Sequence, residues 1–242
     1  MDADSPDLIA YQKAAKKYGA YLLIDCAHDF GHIGPNGKGT FFFYKGAWEK
    51  QGLSDFSNVI MCGTGSKCLS TNIGFVGAKD KRIIELIKHM SGPYENATVI
   101  NPGQAAASLA QLHILRNQEG KDRRAKVTEN YNYLRSALEA KGHKILGSPC
   151  AIMPVFIGNE VISRVVSRLM TDKGVHVNGI EYPVVKIGQA RLRVCLLPQH
   201  TKAHLDRFVT VFEESMAKAQ LILDEAMANY SEQPRENPKL WN

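Results

Sequence analysis

No run of apolar residues in this 242-residue chain approaches the roughly 20 needed to cross a bilayer as a helix. The acidic start Met1-Asp2-Ala3-Asp4 is the wrong chemistry for a signal peptide, although a membrane anchor upstream of these residues stays open. Cysteine is scarce, at five residues, and Cys26, Cys62, Cys68, Cys150 and Cys195 show no disulfide or zinc spacing. Mostly in apolar segments, they imply a reducing, cytoplasmic setting. A net charge of +6 comes without the basic and aromatic stripe of a nucleic-acid surface. The densest basic patch, Lys121-Asp122-Arg123-Arg124-Ala125-Lys126, reads as a solvated helix face that an anionic substrate could also use. Internal repeats are absent.

What is present is ordinary globular composition, 44% hydrophobic and 22% charged, ordered as alternating helices and strands. Asp7 to Tyr18 is amphipathic and closes at Gly19; Ala20 to Ile24 is a buried strand, and Val59 to Gly63 is another. Further on, Gly74 to Ala78 reads as a strand, Lys79 to Met90 and Gly103 to Arg116 as helices, and Arg124 to Lys141 as a helix after a break at Asn117-Gln118-Glu119-Gly120. Then come a strand at Cys150 to Ile157, a helix at Val161 to Lys173, strands near Val175 to Ile180 and Arg191 to Leu196, and a helix from Thr201 to about Met227. The expected class is α/β, with a mainly parallel sheet.

In such sheets ligands collect beyond the carboxyl ends of the strands. Asp25 and His28 lie beyond one such end, and Thr64, Ser66 and Lys67 beyond another. A lysine amine forms an imine with an aldehyde cofactor, and small or hydroxylated residues beside it let backbone N–H groups and hydroxyls approach a phosphate. A carboxylate facing a pyridine nitrogen keeps it protonated and the ring an electron sink. The set is that of a pyridoxal phosphate (PLP) site with Lys67 as the Schiff-base lysine. Gly63-Thr64-Gly65-Ser66-Lys67 is not a nucleotide phosphate loop, which needs Gly before the Lys and Ser or Thr after it, where Ser66 and Cys68 stand. Asp25 alone would more often cap a turn. No second ligand pair follows Asp25 and His28, so no metal is expected.

Larger segments carry a resemblance. Ile24-Asp25-Cys26-Ala27-His28 through Gly31, Gly34, Gly37-Lys38-Gly39 resembles the Asp-Glu-Ala-His…Gly…Gly…Gly-Arg-Gly segment of the α-oxoamine synthases. Gly63-Thr64-Gly65-Ser66-Lys67 is similar to their lysine segment, and Tyr182-Pro183-Val184-Val185 with Ala190-Arg191-Leu192-Arg193-Val194-Cys195-Leu196 to their C-terminal strand, followed by His200-Thr201. That family, which includes serine palmitoyltransferase, glycine C-acetyltransferase and 8-amino-7-oxononanoate synthase, has the PLP-dependent fold type I. The resemblance implies PLP as cofactor, Lys67 as its imine lysine, Asp25 at the pyridine nitrogen, His28 at the ring hydroxyl or substrate, and Thr64 with Ser66 at the phosphate. Of the stretch that reaches a neighbouring subunit's phosphate in the family, only Thr98 remains. It also implies Arg193 for the amino acid carboxylate; strand alternation puts Arg191 and Arg193 on one face, and analogy alone chooses between them.

The chain departs from the family in places. Cys26 replaces an acidic residue, the stretch Ser70 to Phe75 has fewer glycines, and Gly39 to Ser54 is longer and rich in aromatics, with Phe41-Phe42-Phe43-Tyr44 and Trp48. That insertion is read equally as an acyl channel or subunit contact and as loop packing. Only 24 residues precede Asp25, so the chain is expected to lack the family's N-terminal part. The expected organisation is the C-terminal part of a PLP-binding domain over 1–125, a small α/β domain over 126–228 and a polar tail over 229–242. The activity implied is condensation of an amino acid with an acyl thioester, acyl-CoA or acyl-carrier protein, in a homodimer or with a complementing N-terminal part. An aminotransferase and a non-catalytic partner subunit are the alternatives.

Overall fold

The computed structural model describes residues 2–232 and divides them into two compact units, one of Asp4–Thr128 and one that runs from Glu129 and includes the start of the chain up to Ala3. In the first, α1 (Leu8–Lys17) begins where the Asp7 carboxylate accepts the Ile9 and Ala10 N–H groups at 3.0 and 3.1 Å, satisfying two donors of the first turn. It gives way to β1 (Leu22–Asp25). Next come α2 (Thr40–Lys50), β2 (Val59–Thr64), β3 (Gly74–Ala78), α3 (Lys81–Met90), the short α4 (Gly92–Asn96) and α5 (Pro102–Arg116).

These strands form a sheet in the order β1-β2-β3. β1 and β2 are parallel, Leu22 opposite Val59 and Asp25 opposite Cys62, and α2 lies in the connection between them. β3 runs antiparallel to β2, with Thr64 opposite Gly74. The expected parallel character therefore stops at β2. Residues 65–73 are too few for the crossover that a parallel return requires.

The aromatic segment after Gly39 is neither a channel lining nor a loop. It is α2, and it forms much of this unit's core. Phe41 is nearly buried and Trp48 fully so; the Phe41 ring meets Phe42, Trp48 and Phe56 edge-on at centroid distances of 5.0, 5.3 and 5.4 Å, a favoured quadrupolar arrangement. Leu8, Ile24, Cys26 and Val59 complete the cluster and bind α1, β1 and β2 to it.

α6 (Gln118–Glu139) crosses the boundary between the units and starts earlier than the sequence pattern implies. Gly120 is not a break. A Cβ there would lie 2.4 Å from the Ile114 carbonyl oxygen and 2.7 Å from Leu115 Cα, so glycine is needed at the tight junction between α5 and α6.

The second unit contains β4 (Ile152–Gly158), α7 (Glu160–Asp172), β5 (Asn178–Ile180), β6 (Ala190–Cys195) and α8 (Lys202–Glu232). Its sheet is antiparallel in the order β4-β6-β5. Ala190, Leu192 and Val194 of the central strand are buried, as are Met153, Val155, Val166, Met170 and Phe212 around them. α8 continues to Glu232, so residues 229–232 are helical rather than part of a tail; residues 233–242 of the expected tail lie outside the described residues. No described helix is long and apolar enough to cross a membrane.

Candidate active site

Parallel pairing of β1 with β2 brings their carboxyl ends to one edge of the sheet, and the pairing extends one residue further through Cys26 N–H to the Cys62 carbonyl at 2.7 Å. Asp25 ends β1 with its side chain exposed, and its Oδ1 accepts the Ala27 N–H at 2.8 Å. The turn-capping role thus coexists with an accessible carboxylate, because the second oxygen is not used in that bond. His28 follows, exposed, in the same turn.

Thr64 ends β2. Its Oγ1 accepts the Ser66 N–H at 3.1 Å, lies 2.8 Å from Ser66 Oγ and donates to the Ile73 carbonyl at 3.3 Å. Both hydroxyls therefore sit in one tight turn, and Lys67 leaves it with its side chain exposed. Gly65 is required within that turn, since a Cβ would come to 2.5 Å from both Thr71 Oγ1 and Ile73 Cγ1.

The loop after β1 and the loop after β2 touch. Cys68 Sγ, one residue past Lys67, occupies the place where a Cβ on Gly31 would lie, the two being only 2.0 Å apart, and Gly31 has a φ of +89° that suits glycine. Phe30 and Phe75 stack obliquely beside this contact at 5.2 Å. Asp25, His28, Thr64, Ser66 and Lys67 thus fall on two loops held against each other.

Several supporting residues are not evident from the motifs. Asp29 is buried and accepts the Thr40 N–H at 2.7 Å, anchoring the start of α2 to the β1 loop. From α5, Gln104 Oε1 accepts the Asn72 N–H at 2.9 Å, and Ser108 Oγ lies 3.1 Å from Thr71 Oγ1, steadying the far side of the Lys67 loop. The small residues of α5 were the signal for such close approach. Arg124 is half-buried rather than part of a solvated face, and its Nη1 donates to the Leu115 carbonyl at 3.0 Å. Thr98 lies exposed between α4 and α5, and none of the hydrogen bonds within the Lys67 loop involves it.

The neighbouring thiols are poor nucleophiles. Burial, reinforced by the Asp29 charge, pushes the Cys26 pKa up to about 12. Burial also raises Cys62, with Asp25 adding to it, and Cys68, where Arg124 opposes the rise. A neutral thiol is a poor nucleophile at pH 7. Among the described residues no group of three His, Cys, Asp or Glu side chains could hold a metal ion.

In the second unit, β6 presents Arg191 and Arg193 on the same face and the structure separates them. Arg191 is buried, paired with Asp2, and donates through Nε and Nη2 to the Gln189 carbonyl at 3.0 and 2.9 Å. Arg193 is half-buried, with its Nε buried and unpartnered, and lines a cavity of about 460 Å³.

The model of the family described as aminotransferase class I and II matches residues 1–212. The chain is 31% identical over 228 residues to an 8-amino-7-oxononanoate synthase of Marinobacter nauticus, covering 94% of this chain and 54% of that protein. To the synthase of that name from Pseudomonas savastanoi pv. phaseolicola it is 33% identical over 214 residues, or 88% of this chain and 52% of the other. It spans about half the length of these curated relatives. Among solved structures, a Sphingomonas wittichii serine palmitoyltransferase superposes with a TM-score of 0.79 at 24% identity, over 91% of this chain and 53% of that one. An SPT structure with PLP gives 0.79 at 25% identity and the same coverages. The fold is that of the PLP-dependent transferases of fold type I, and the chain belongs to the aminotransferase class I and II family.

Proposed function

We propose that this chain forms the lysine-bearing half of a PLP-dependent acyltransferase that condenses an amino acid with an acyl thioester, acyl-CoA or acyl-carrier protein, usually with loss of CO₂, to give an α-oxoamine. The observation that carries this reading is the packing of Cys68 on Gly31, which holds the loop of Asp25 and His28 against the loop of Thr64, Ser66 and Lys67. The donor set fits the cofactor: an exposed amine, an accessible carboxylate, an imidazole and two hydroxyls in one turn. Relatives named 8-amino-7-oxononanoate synthase favour acyl transfer over amino-group transfer.

When bound, PLP supplies an electron sink for the carbanion formed at the amino acid α-carbon. Lys67 Nζ would hold the cofactor's aldehyde carbon until the amine of the amino acid displaces it, and the freed lysine amine would then move the α-proton. The Asp25 carboxylate would keep the proton on the pyridine nitrogen. His28 would donate to the ring hydroxyl or to substrate, Thr64 and Ser66 would donate to the phosphate, and Thr98 would reach the phosphate of a neighbouring subunit. Arg193 receives the amino acid carboxylate, a role supported by the commitment of Arg191 to Asp2 and Gln189.

The domain organisation we propose is the C-terminal part of a PLP-binding domain over 1–125 and a small α/β domain over 126–228. We also propose a cytoplasmic homodimer, or a complex with a complementing N-terminal part. Exposed Leu86, Met90, Tyr94, Val99, Ile100 and Leu109 from α3 to α5 support an association surface, and the five free cysteines suit a reducing compartment.

The test is release of free thiol from acyl-CoA in the presence of glycine, alanine or serine, by this chain co-expressed with the N-terminal half of a curated relative. Amino-acid-dependent thiol release that falls by about 10²-fold or more in Lys67→Ala is expected. Keto-acid formation without thioester consumption would instead mark an aminotransferase. Activity of the complex unchanged by Lys67→Ala would make this chain a non-catalytic partner.

A further inference from the structure

The loop after β2 is braced from a direction that none of its motifs announces. Gln104 and Ser108 stand four residues apart on α5 and so share one helix face. They meet two consecutive residues of the loop's returning limb. Gln104 Oε1 accepts the Asn72 N–H at 2.9 Å, and Ser108, buried, brings its Oγ to 3.1 Å from Oγ1 of Thr71, also buried. The two braces are joined to each other, since Ser108 Oγ donates to the Gln104 carbonyl at 2.8 Å, while Asn101 Oδ1 accepts the Gln104 N–H at 2.9 Å.

From Thr71 the restraint passes into the turn that carries the chemistry. Thr71 N–H donates to the Gly65 carbonyl at 3.0 Å and Gly65 N–H to the Ile73 carbonyl at 2.7 Å, so the returning limb is tied to Gly65. No slack is left there: a Cβ on Gly65 would come to 2.5 Å from Thr71 Oγ1. Gly65 stands between Thr64 and Ser66, whose hydroxyl oxygens are 2.8 Å apart, and Lys67 follows. Residues 65–73 contain no helix or strand, so bonds from α5 help decide where they rest. The side-chain bonds of Gln104 and Ser108 end on Thr71, Asn72 and α5 itself. Whatever these two residues do for Lys67 is therefore done by placing the loop.

We propose that Gln104 and Ser108 are positioning residues of the Lys67 site, which fix the Lys67 amine relative to the hydroxyl pair of Thr64 and Ser66 and so favour an aldehyde that carries a phosphate. A ligand held at two points gains from the second contact only where that contact is already in place when the first is made. The inference deepens the role given to Lys67, Thr64 and Ser66 above and rests on it. It adds two residues that touch neither cofactor nor substrate.

The test compares two aldehydes on the folded full chain: PLP, and 5′-deoxypyridoxal, which has the same aldehyde and no phosphate. Lys67 Nζ condenses with the aldehyde carbon with loss of water, and borohydride reduces the C=N bond to a secondary amine. Peptide mapping then reads the initial rate at each lysine, with exposed Lys13 of α1 as reference. The parent chain should label Lys67 faster with PLP than with the phosphate-free aldehyde. That preference should fall about threefold to tenfold in Gln104→Ala and in Ser108→Ala, the effect of one lost hydrogen bond. It should recover in Gln104→Glu, whose carboxylate accepts the same N–H. Amide hydrogen exchange in a peptide containing Asn72 should quicken in both alanine variants while peptides of α1 stay protected. If Ser108→Ala unfolds, the two Gln104 variants carry the comparison. A preference that is absent in the parent, or unchanged in the folded variants, would overturn the positioning role and leave Lys67 as the imine lysine. Labelling of Lys67 in the parent no faster than that of Lys13 would instead refute the cofactor site, and the role of α5 with it.

Discussion

Replacing Gly31 by alanine attacks the contact on which the candidate site depends. Two costs arise. At a φ of +89° an alanine is strained by about 1–3 kcal/mol, and its Cβ would sit 2.0 Å from Cys68 Sγ and 2.9 Å from Cys68 Cβ, an overlap relieved only by moving one loop, at a further ~1–3 kcal/mol. The sum, about 2–6 kcal/mol, is a large part of the ~5–15 kcal/mol that holds an ordinary domain. Urea unfolding followed through Trp48 fluorescence measures it, because Trp48 is fully buried in the Asp4–Thr128 unit; a Trp241→Phe background removes the second tryptophan. Cys68→Gly in the same chain removes the overlap but not the strain. The Gly31→Ala/Cys68→Gly pair should therefore be less destabilised than the sum of the singles by about 1–3 kcal/mol. A coupling within about 0.5 kcal/mol of zero would refute the claim that Cys68 rests on Gly31.

Other consequences follow from single residues. Trp48→Ala should destabilise the same unit by roughly 3–5 kcal/mol in urea unfolding, since it empties the aromatic core; a loss under about 1 kcal/mol would reinstate a channel or surface role for α2. Asp7→Ala should cost about 1 kcal/mol by loss of the two bonds at the start of α1, and Asp7→Asn much less. The Cys26 thiol has its pKa raised from 9.0 to about 12 in the folded chain, so its contribution to stability is full below pH 9 and is lost as pH rises towards 12. Over that window stability should fall by up to about 1.4 kcal/mol per pH unit more steeply in the parent than in Cys26→Ala, measured by urea unfolding at each pH. Equal slopes would show that the thiol is not buried as described.

The strand ends were legible to within a residue or two because short apolar runs closed by chemistry-bearing residues are local patterns: the runs ending before Asp25 and before Thr64 can each be read without knowing what they pack against, and the observed strands are Leu22–Asp25 and Val59–Thr64. Capping chemistry was equally local at Thr201, whose Oγ1 accepts the His204 N–H at 3.3 Å at the start of α8. Misreadings arose where a distant partner decides. Gly120 looks like a break until the α5 carbonyl beside it is known, and Phe41 and Trp48 look like a lining until Phe56 closes over them. The direction of β3 depends on connection length more than on its composition. At the site, Thr64 and Ser66 were visible as residue types, whereas their mutual bond, the Gly31–Cys68 contact and the bracing by Gln104 and Ser108 are tertiary facts. Arg193 was separable from Arg191 only once Asp2, nearly two hundred residues away in sequence, was found against Arg191.

The measurement that tests the central claim most directly is borohydride reduction of the folded chain mixed with PLP, followed by peptide mapping of the fixed label. The account predicts an absorbance band near the visible that reduction abolishes, with label on Lys67 and none of comparable yield on the other lysines, and loss of that label in Lys67→Ala. Label spread over surface lysines, or concentrated on one outside the loop after β2, would contradict it.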